Sequence, residues 1–240
     1  MIIEFVGIPG SGKTYISRKF QEYINSDLNI ESKYEIQNSR DIVKSSDRNK
    51  VLNKILVINK ILNINSMNFI FKILGSNRPF FEKILSIYYF ANKIREYQLI
   101  NDSLKTNSTH KKVVLIDEGL LHITSNIFFE ELRFEDIDLF FKKIYKKNYF
   151  NHKKLFVFID SNDSLVRLTS RPDGFPKMWT KLNEGEIKDR IAIMSKKHLI
   201  KKEYAEYKKM SAIYYANTYD AGTDLSKLFN EILTYIEVDK

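Results

Sequence analysis

Apolar residues cluster along the chain in short runs that have the length of buried strands. Runs at residues 2–6, 112–116 and 155–159 predict buried strands, and the less apolar segments 33–37 and 212–219 predict two more. Between these segments, apolar residues recur every three or four positions, as they do on one face of a helix. The chain is therefore predicted to alternate strands with helices.

The predicted helices separate every pair of successive strands. They cover residues 14–25, 134–145, 164–171, 184–210 and 225–236, and the stretch 47–105 is helical in pattern with a break at 75–79. Such alternation predicts an α/β fold with a parallel, doubly wound sheet. Sheets of this kind bind ligands at the carboxyl ends of their strands. We therefore expect the functional residues at the carboxyl ends of the predicted strands.

A glycine-rich loop follows the first predicted strand and precedes the first predicted helix. Its sequence, GIPGSGKT at residues 7–14, matches the full P-loop (Walker A) pattern. Glycines let successive backbone N–H groups and the helix N-terminus point at phosphate. The predicted nucleotide-binding residues are Gly7, Pro9, Gly10, Ser11, Gly12, Lys13 and Thr14. Lys13 would reach the β- and γ-phosphates, and the Thr14 hydroxyl would bind Mg²⁺.

Two acids follow the apolar run 112–116 directly. P-loop enzymes need a second carboxylate near the metal, usually at the end of a neighbouring strand. Asp117 is predicted to hold Mg²⁺, and either Asp117 or Glu118 to accept the proton of an attacking hydroxyl. Which acid takes which role is left open.

Two arginines lie four residues apart on one face of a predicted helix. Arg167 and Arg171 precede a loop rich in proline and glycine, so the segment of about 164–185 is predicted to act as a lid. Arginines on a closing lid stabilise charge on a phosphoryl group in transfer. Both are therefore predicted to be catalytic.

Composition narrows the classes of protein. The chain of 240 residues fits one domain spanning 1–240, and it has no cysteine, which excludes disulfides and thiolate metal sites. Its net charge of +9 fits a surface that attracts anions, although we attribute the charge mainly to a composition rich in lysine. No signal peptide and no apolar run of about 18 residues are seen, which predicts a cytoplasmic protein without a membrane span.

The P-loop, the acidic strand end and the arginine segment, in this order, resemble the P-loop nucleoside and nucleotide kinases. The chain looks most like thymidylate kinases and deoxynucleoside kinases, and the motif YYFANK at 88–93 is similar to a helix that precedes their acidic strand. The resemblance implies a five-stranded parallel core, ATP as the phosphoryl donor and a possible homodimer. It also implies an acceptor pocket in a helical insertion of about 47–105.

The resemblance further implies Arg40, Lys93 and Arg95 as acceptor contacts. Two positions depart from the family pattern. The family has Asp-Arg or Glu-Arg where this chain has Asp117 and Glu118, and an arginine where it has Lys93. The arginine that would hold an acceptor phosphate is missing, which favours an acceptor with less negative charge, such as a nucleoside or a sugar alcohol.

The leading prediction is a kinase that uses ATP, or another nucleoside triphosphate, with Mg²⁺ and a small acceptor. Two alternatives stay open. One is a kinase of a polymeric or glycan-linked acceptor, such as a nucleic acid end or a polysaccharide precursor, with nucleic acid not favoured. The other is a regulatory NTPase that only hydrolyses its nucleotide.

Overall fold

The structure is a computed structural model that describes most of the chain. The described residues are 1–27, 30, 32–46, 64–106, 110–145, 152–170, 175, 179–180, 182–217 and 225–238. Arg171, together with residues 47–63 of the predicted insertion and parts of the predicted lid, lies outside them.

Within this part of the chain, five strands form one parallel sheet. The strands are β1 (Ile2–Val6), β2 (Tyr34–Asn38), β3 (Lys111–Ile116), β4 (Lys154–Asp160) and β5 (Ala212–Ala216). Their order is β2-β3-β1-β4-β5, and each neighbouring pair is parallel. This confirms the predicted doubly wound α/β sheet and places β1, with the glycine loop that follows it, at the centre.

Helices cover both faces of the sheet. Those in the described residues are α1 (Lys13–Ser26), α2 (Ser39–Ser46), α3 (Ile64–Leu74), α4 (Phe80–Lys105), α5 (Leu120–Ile127), α6 (Phe134–Tyr145), α7 (Ser164–Thr169), α8 (Glu184–Tyr207) and α9 (Leu225–Glu237). The predicted break at 75–79 is confirmed, because one helix ends at Leu74 and the next begins at Phe80. None of the described helices is both long and apolar enough to span a bilayer.

Alternate residues of each strand face opposite sides of the sheet, and each side has its own apolar core. In β1, Ile2 and Val6 pack against α3 to α6 and α8, whereas Ile3 and Phe5 pack against α1 and α9. Glu4 points to the first side and is buried. Strands that are apolar on both faces are what a parallel sheet covered on both sides requires.

Candidate functional site

The glycine loop has a backbone that only glycine adopts easily. Gly10 has φ of 83° and Gly12 has φ of 92°, both in the left-handed region. A Cβ atom on Gly12 would also lie 2.4 Å from Asn217 Nδ2 and 3.1 Å from an Arg167 nitrogen. Two side chains from distant parts of the chain therefore close around this turn.

Lys13 is the first residue of α1, and its side chain folds back over the start of the loop. Its Nζ atom donates hydrogen bonds to Gly7 O at 2.8 Å and to Ile8 O at 2.9 Å. Behind it, Ile16, with the rest of the buried face of α1, fixes the helix against the sheet. The ammonium group is thus held at the start of the glycine loop, and its contact with phosphate stays a prediction.

Asn217 connects the glycine loop to the sheet. Its Nδ2 donates to Ser11 O at 2.7 Å, and its backbone N–H donates to Asp160 O at 2.8 Å. Arg167 Nη2 donates to Asn217 O at 3.3 Å. Sequence reasoning missed Asn217, although its position directly after β5, at the ligand-binding edge, was a usable signal.

The predicted lid begins against the glycine loop. A Cβ atom on Gly10 would lie 2.3 Å from Ser164 O, at the first residue of α7. Further along, Leu168 packs with Trp179 and Ile187 in a small apolar cluster. Arg167 therefore reaches the loop from a helix that rests on it.

The acidic strand end contains a buried carboxylate. Asp117 is 5% exposed, and neither of its side-chain oxygens accepts a hydrogen bond from the described residues. Arg40 Nη2 lies 2.9 Å from Asp117 Oδ2, at ion-pair distance but without hydrogen-bond alignment. The structure thus brings together two predicted site residues that are 77 positions apart (117 − 40).

Glu118 is ionised at neutral pH. Burial raises its pKa, but His122, Lys13 and the hydroxyl of Tyr89 lower the pKa to about 2. Burial also holds the pKa of His122 at about 3, so its ring is neutral at pH 7. Lys13 and Tyr89 therefore keep Glu118 charged there. Such a carboxylate is a weak base and serves better to accept and orient a hydroxyl.

Lys93 on α4 lies close to Glu118 and Tyr89, whereas Arg95 projects from a different face of the same helix. Lys93 is buried, with Nζ 2.5 Å from Glu96 Oε2 and 5.8 Å from the centre of the Tyr89 ring. Its charge helps to lower the pKa of Glu118. Two residues further along, Arg95 projects about 200° away around the helix. The structure does not place Arg95 beside Lys93, and its predicted acceptor role stays a prediction.

The oxygen atoms available near the loop fit Mg²⁺. This ion takes one or two protein oxygens and keeps several waters. Asp117 offers buried oxygens without donors, and the exposed Thr14 lies in the first turn of α1. Among the described residues, no cluster of three or more acidic, histidine or cysteine side chains forms a metal cage. The Asp117 carboxylate and the Thr14 hydroxyl are oxygen donors of the kind that Mg²⁺ takes.

Glu4 is a second feature that sequence reasoning missed. Its Oε1 accepts from the backbone N–H of Leu121 at 2.8 Å, and its Oε2 accepts from Tyr97 OH at 2.9 Å. The Tyr97 hydroxyl in turn accepts from the N–H of Leu120 at 3.1 Å. This network satisfies the first turn of α5 and thereby fixes the loop that carries Asp117 and Glu118. The sequence signal for Glu4 was a single acidic residue within the apolar run of residues 2–6.

No protein-family model matches the chain, and no curated protein sequence matches it significantly. Among solved structures, it is similar to thymidylate kinase from Ehrlichia chaffeensis, with 13% identity, 98% of each chain covered and a TM-score of 0.50. It is also similar to deoxyadenosine kinase from M. mycoides with bound products, with 14% identity, 100% of each chain covered and a TM-score of 0.46. The first comparison, the strand order and the glycine loop together show the fold of the P-loop nucleoside and nucleotide kinases.

Proposed function

We propose that the protein is a phosphotransferase that moves the γ-phosphoryl group of ATP to a hydroxyl or phosphate of a small acceptor. The acceptor is a nucleoside, a nucleotide or a sugar-like molecule. The observation that carries the proposal is the meeting of the glycine loop and the acidic strand end. Strands β1 and β3 are parallel neighbours, so the glycine loop after β1 and the acids after β3 leave the sheet at the same edge. The charge of Lys13 also helps to lower the pKa of Glu118.

The donor site would consist of the glycine loop and the residues that close around it. Backbone N–H groups of residues 10–14 and the Lys13 ammonium would bind the phosphates. Arg167, which rests against Gly12, would add charge opposite the transferred group. Thr14 and Asp117 would hold Mg²⁺, which neutralises phosphate charge when it is bound.

The acceptor site would lie between the acidic strand end and α4. Glu118, held by Tyr89, would orient the acceptor hydroxyl, while Lys93 and Arg40 would contact its polar groups. The side chain of Arg40 is 59% exposed, so it is free to leave Asp117 for a ligand. Catalysis would come mainly from positioning and charge stabilisation, because phosphoryl transfer needs little covalent help.

ATP consumption in the presence of Mg²⁺, measured across nucleosides, nucleotides and sugars, tests the proposal. One acceptor should raise turnover well above the rate in water, and Lys13→Ala should abolish it. Lys33→Ala, an exposed lysine outside the site, is the matched control and should keep wild-type turnover. Turnover that depends on Lys13 but ignores every acceptor would instead fit a hydrolase or a kinase of a polymeric acceptor.

A further inference from the structure

Two buried lysines lie one turn apart on α8 and point toward α5. Lys197 Nζ donates hydrogen bonds to the carbonyl oxygens of Ser125, Phe128 and Phe129, the shortest of them to Phe129. These carbonyls lie at the end of α5, where unsatisfied acceptors and the helix dipole favour a cation. Lys197 therefore has a complete structural role.

Lys201 is equally buried but lacks such partners. It is 4% exposed, and within the part of the chain that the structure describes its Nζ has one acceptor, His122 O, at 3.5 Å. An ammonium group has three N–H donors, and each buried donor that makes no hydrogen bond costs free energy. The fold thus holds a buried amine whose hydrogen-bonding capacity is largely unused.

Lys201 also lies against the helix that follows the acidic strand end. Its Nζ is 3.5 Å from the carbonyl oxygen of His122, in the first turn of α5, which begins two residues after Glu118. Burial and the charges of Lys197 and Lys13 together lower its pKa to about 7, although the charges of Glu4 and Glu118 raise it. Lys13 and Glu118 are the residues where donor and acceptor would meet. Two ammonium groups that act on each other repel unless an anion lies between them.

We propose that Lys201 is a phosphate-binding residue of the reaction site, donating to a phosphoryl oxygen that lies between it and Lys13. This inference rests on the proposed function. The phosphoryl group belongs either to the donor or to a phosphorylated acceptor, and both present the same oxygens. A bound phosphate dianion stabilises the charged amine, so Lys201 is an ammonium group in the complex.

The test compares Lys201→Met with Lys197→Met. Replacing a poorly paired buried charge by an apolar side chain of similar volume is neutral or stabilising, so Lys201→Met should keep or raise Tm. It should also weaken binding of a phosphorylated ligand, or lower kcat, at least tenfold. Lys197→Met leaves three carbonyl groups unpaired, so it should lower Tm. The folded fraction should bind the ligand at least as tightly as wild type, because loss of the Lys197 charge raises the pKa of Lys201.

The ligands used in the test separate the two sources of phosphate. Isothermal titration measures binding of ATP with Mg²⁺ and of the nucleoside monophosphates, and steady-state assays give kcat. Weaker monophosphate binding alone assigns Lys201 to the acceptor. Weaker ATP binding assigns Lys201 to the phosphates of the donor. A lower kcat alone assigns it to the phosphoryl group that is being transferred. Wild-type affinities and kcat in Lys201→Met would overturn the inference.

A pH series adds a readout that a purely structural lysine would not change. Between pH 7 and 9 wild-type affinity should fall as Lys201 loses its proton, and Lys201→Met should remove that fall. The charged groups that face Lys201 are Glu4, Lys13, Glu118 and Lys197, with His122 neutral in this range. They are present in both proteins, so the difference isolates Lys201.

Failure of the proposed function is distinguishable from failure of this inference. If the wild-type protein does not bind ATP, the kinase proposal fails. Binding of inorganic pyrophosphate, measured in the same series, still decides the role of Lys201. Loss of pyrophosphate binding in Lys201→Met supports a phosphate-binding role for Lys201, and retention of pyrophosphate binding contradicts that role. If ATP binding depends on Lys13 but not on Lys201, the inference alone fails.

Discussion

Asn217 shows how one side chain connects separate parts of the candidate site. It joins the glycine loop to the carboxyl end of β4, and its carbonyl group accepts from Arg167. Its amide group is buried, so the bond to Ser11 O has no water to replace it. The conformation of the loop therefore depends on a residue that is 206 positions away from Ser11 in the sequence.

Asn217→Ala should loosen the glycine loop and weaken nucleotide binding. Loss of a buried hydrogen bond leaves Ser11 O unsatisfied, which should lower the free energy of unfolding by about 1–3 kcal/mol. ATP affinity, measured by titration, should fall several-fold. Asn230→Ala is the matched control, because Asn230 accepts an exposed hydrogen bond from Tyr23. Equal effects of the two substitutions would show that the bond to Ser11 is unimportant.

Site residues differ in how far the sequence could reveal them. Lys13 was predicted because its motif is contiguous, and the structure holds it within the loop. Asp117 was predicted because it ends an apolar run. Glu4 and Lys201 were not, since each contacts α5 from an element that is distant in sequence. Sequence patterns report neighbours along the chain, whereas burial of a single charged side chain depends on the packed fold.

At the scale of elements, the start of α5 packs against the side chain of Glu4. A Cβ atom on Gly119 would lie 2.1 Å from Glu4 Cδ. The Glu4 carboxylate cannot move aside without breaking its bonds to Leu121 and Tyr97. Gly119 is thus required by close approach between two elements, and its backbone, with φ of −95°, is open to any residue.

Gly119→Ala should therefore destabilise the fold by about 1–3 kcal/mol through overpacking. Gly185→Ala is the matched control, because its added Cβ would meet Asn183 Oδ1 at 3.3 Å, at the exposed start of α8. Alanine also favours a helix there, so Tm should stay near the wild-type value. Thermal unfolding of both variants measures the difference. A Tm for Gly119→Ala equal to that of Gly185→Ala would contradict the described contact.

Strands that form apolar runs and helices with strong periodicity were predicted well, whereas two helices of eight residues were not. Strands β1, β3 and β4 and helix α6 lie at or within one residue of their predicted bounds. Helix α5 was missed because nearly all its residues are buried, which leaves no polar face to set a period. Helix α2 was missed because its eight residues span barely two turns.

On the scale of the whole molecule, the fold buries histidines in their neutral form. Burial lowers the pKa of His198 from 6.5 to about 4, although its Nε2 lies 2.9 Å from Asp160 Oδ1. The unfolded chain then binds more protons than the folded one between these two pH values. Stability from this group is complete above pH 6.5 and is lost as the pH falls toward 4.

The free energy of unfolding should accordingly decrease on acidification, by up to about 1.4 kcal/mol per pH unit for each such histidine. Urea titrations at several pH values between 6.5 and 4 measure this slope. His198→Gln should reduce it, whereas His110→Gln, at an exposed position, should keep it. An unchanged slope in His198→Gln would mean that His198 is protonated in the folded protein.

The fold of the whole molecule followed from the sequence because strands and helices alternate regularly and the P-loop fixes the position of β1. The acceptor could not be derived in the same way, since its pocket depends on how α4, α5 and α8 pack. The charge of Lys93 acts on the pKa of Glu118, and that of Glu118 acts on the pKa of Lys201, so the proposed pocket would combine three separate parts of the chain.

Tracing the γ-phosphoryl group of ATP shows whether the protein transfers it to an acceptor. The protein is incubated with Mg²⁺, ATP labelled at the γ-phosphate and the acceptor that most raises turnover, and the labelled products are separated. A phosphotransferase places the label on the acceptor and releases little of it as inorganic phosphate, and Lys13→Ala should place none on the acceptor. Label that appears only as inorganic phosphate, whatever acceptor is present, would contradict phosphoryl transfer and make the protein a hydrolase.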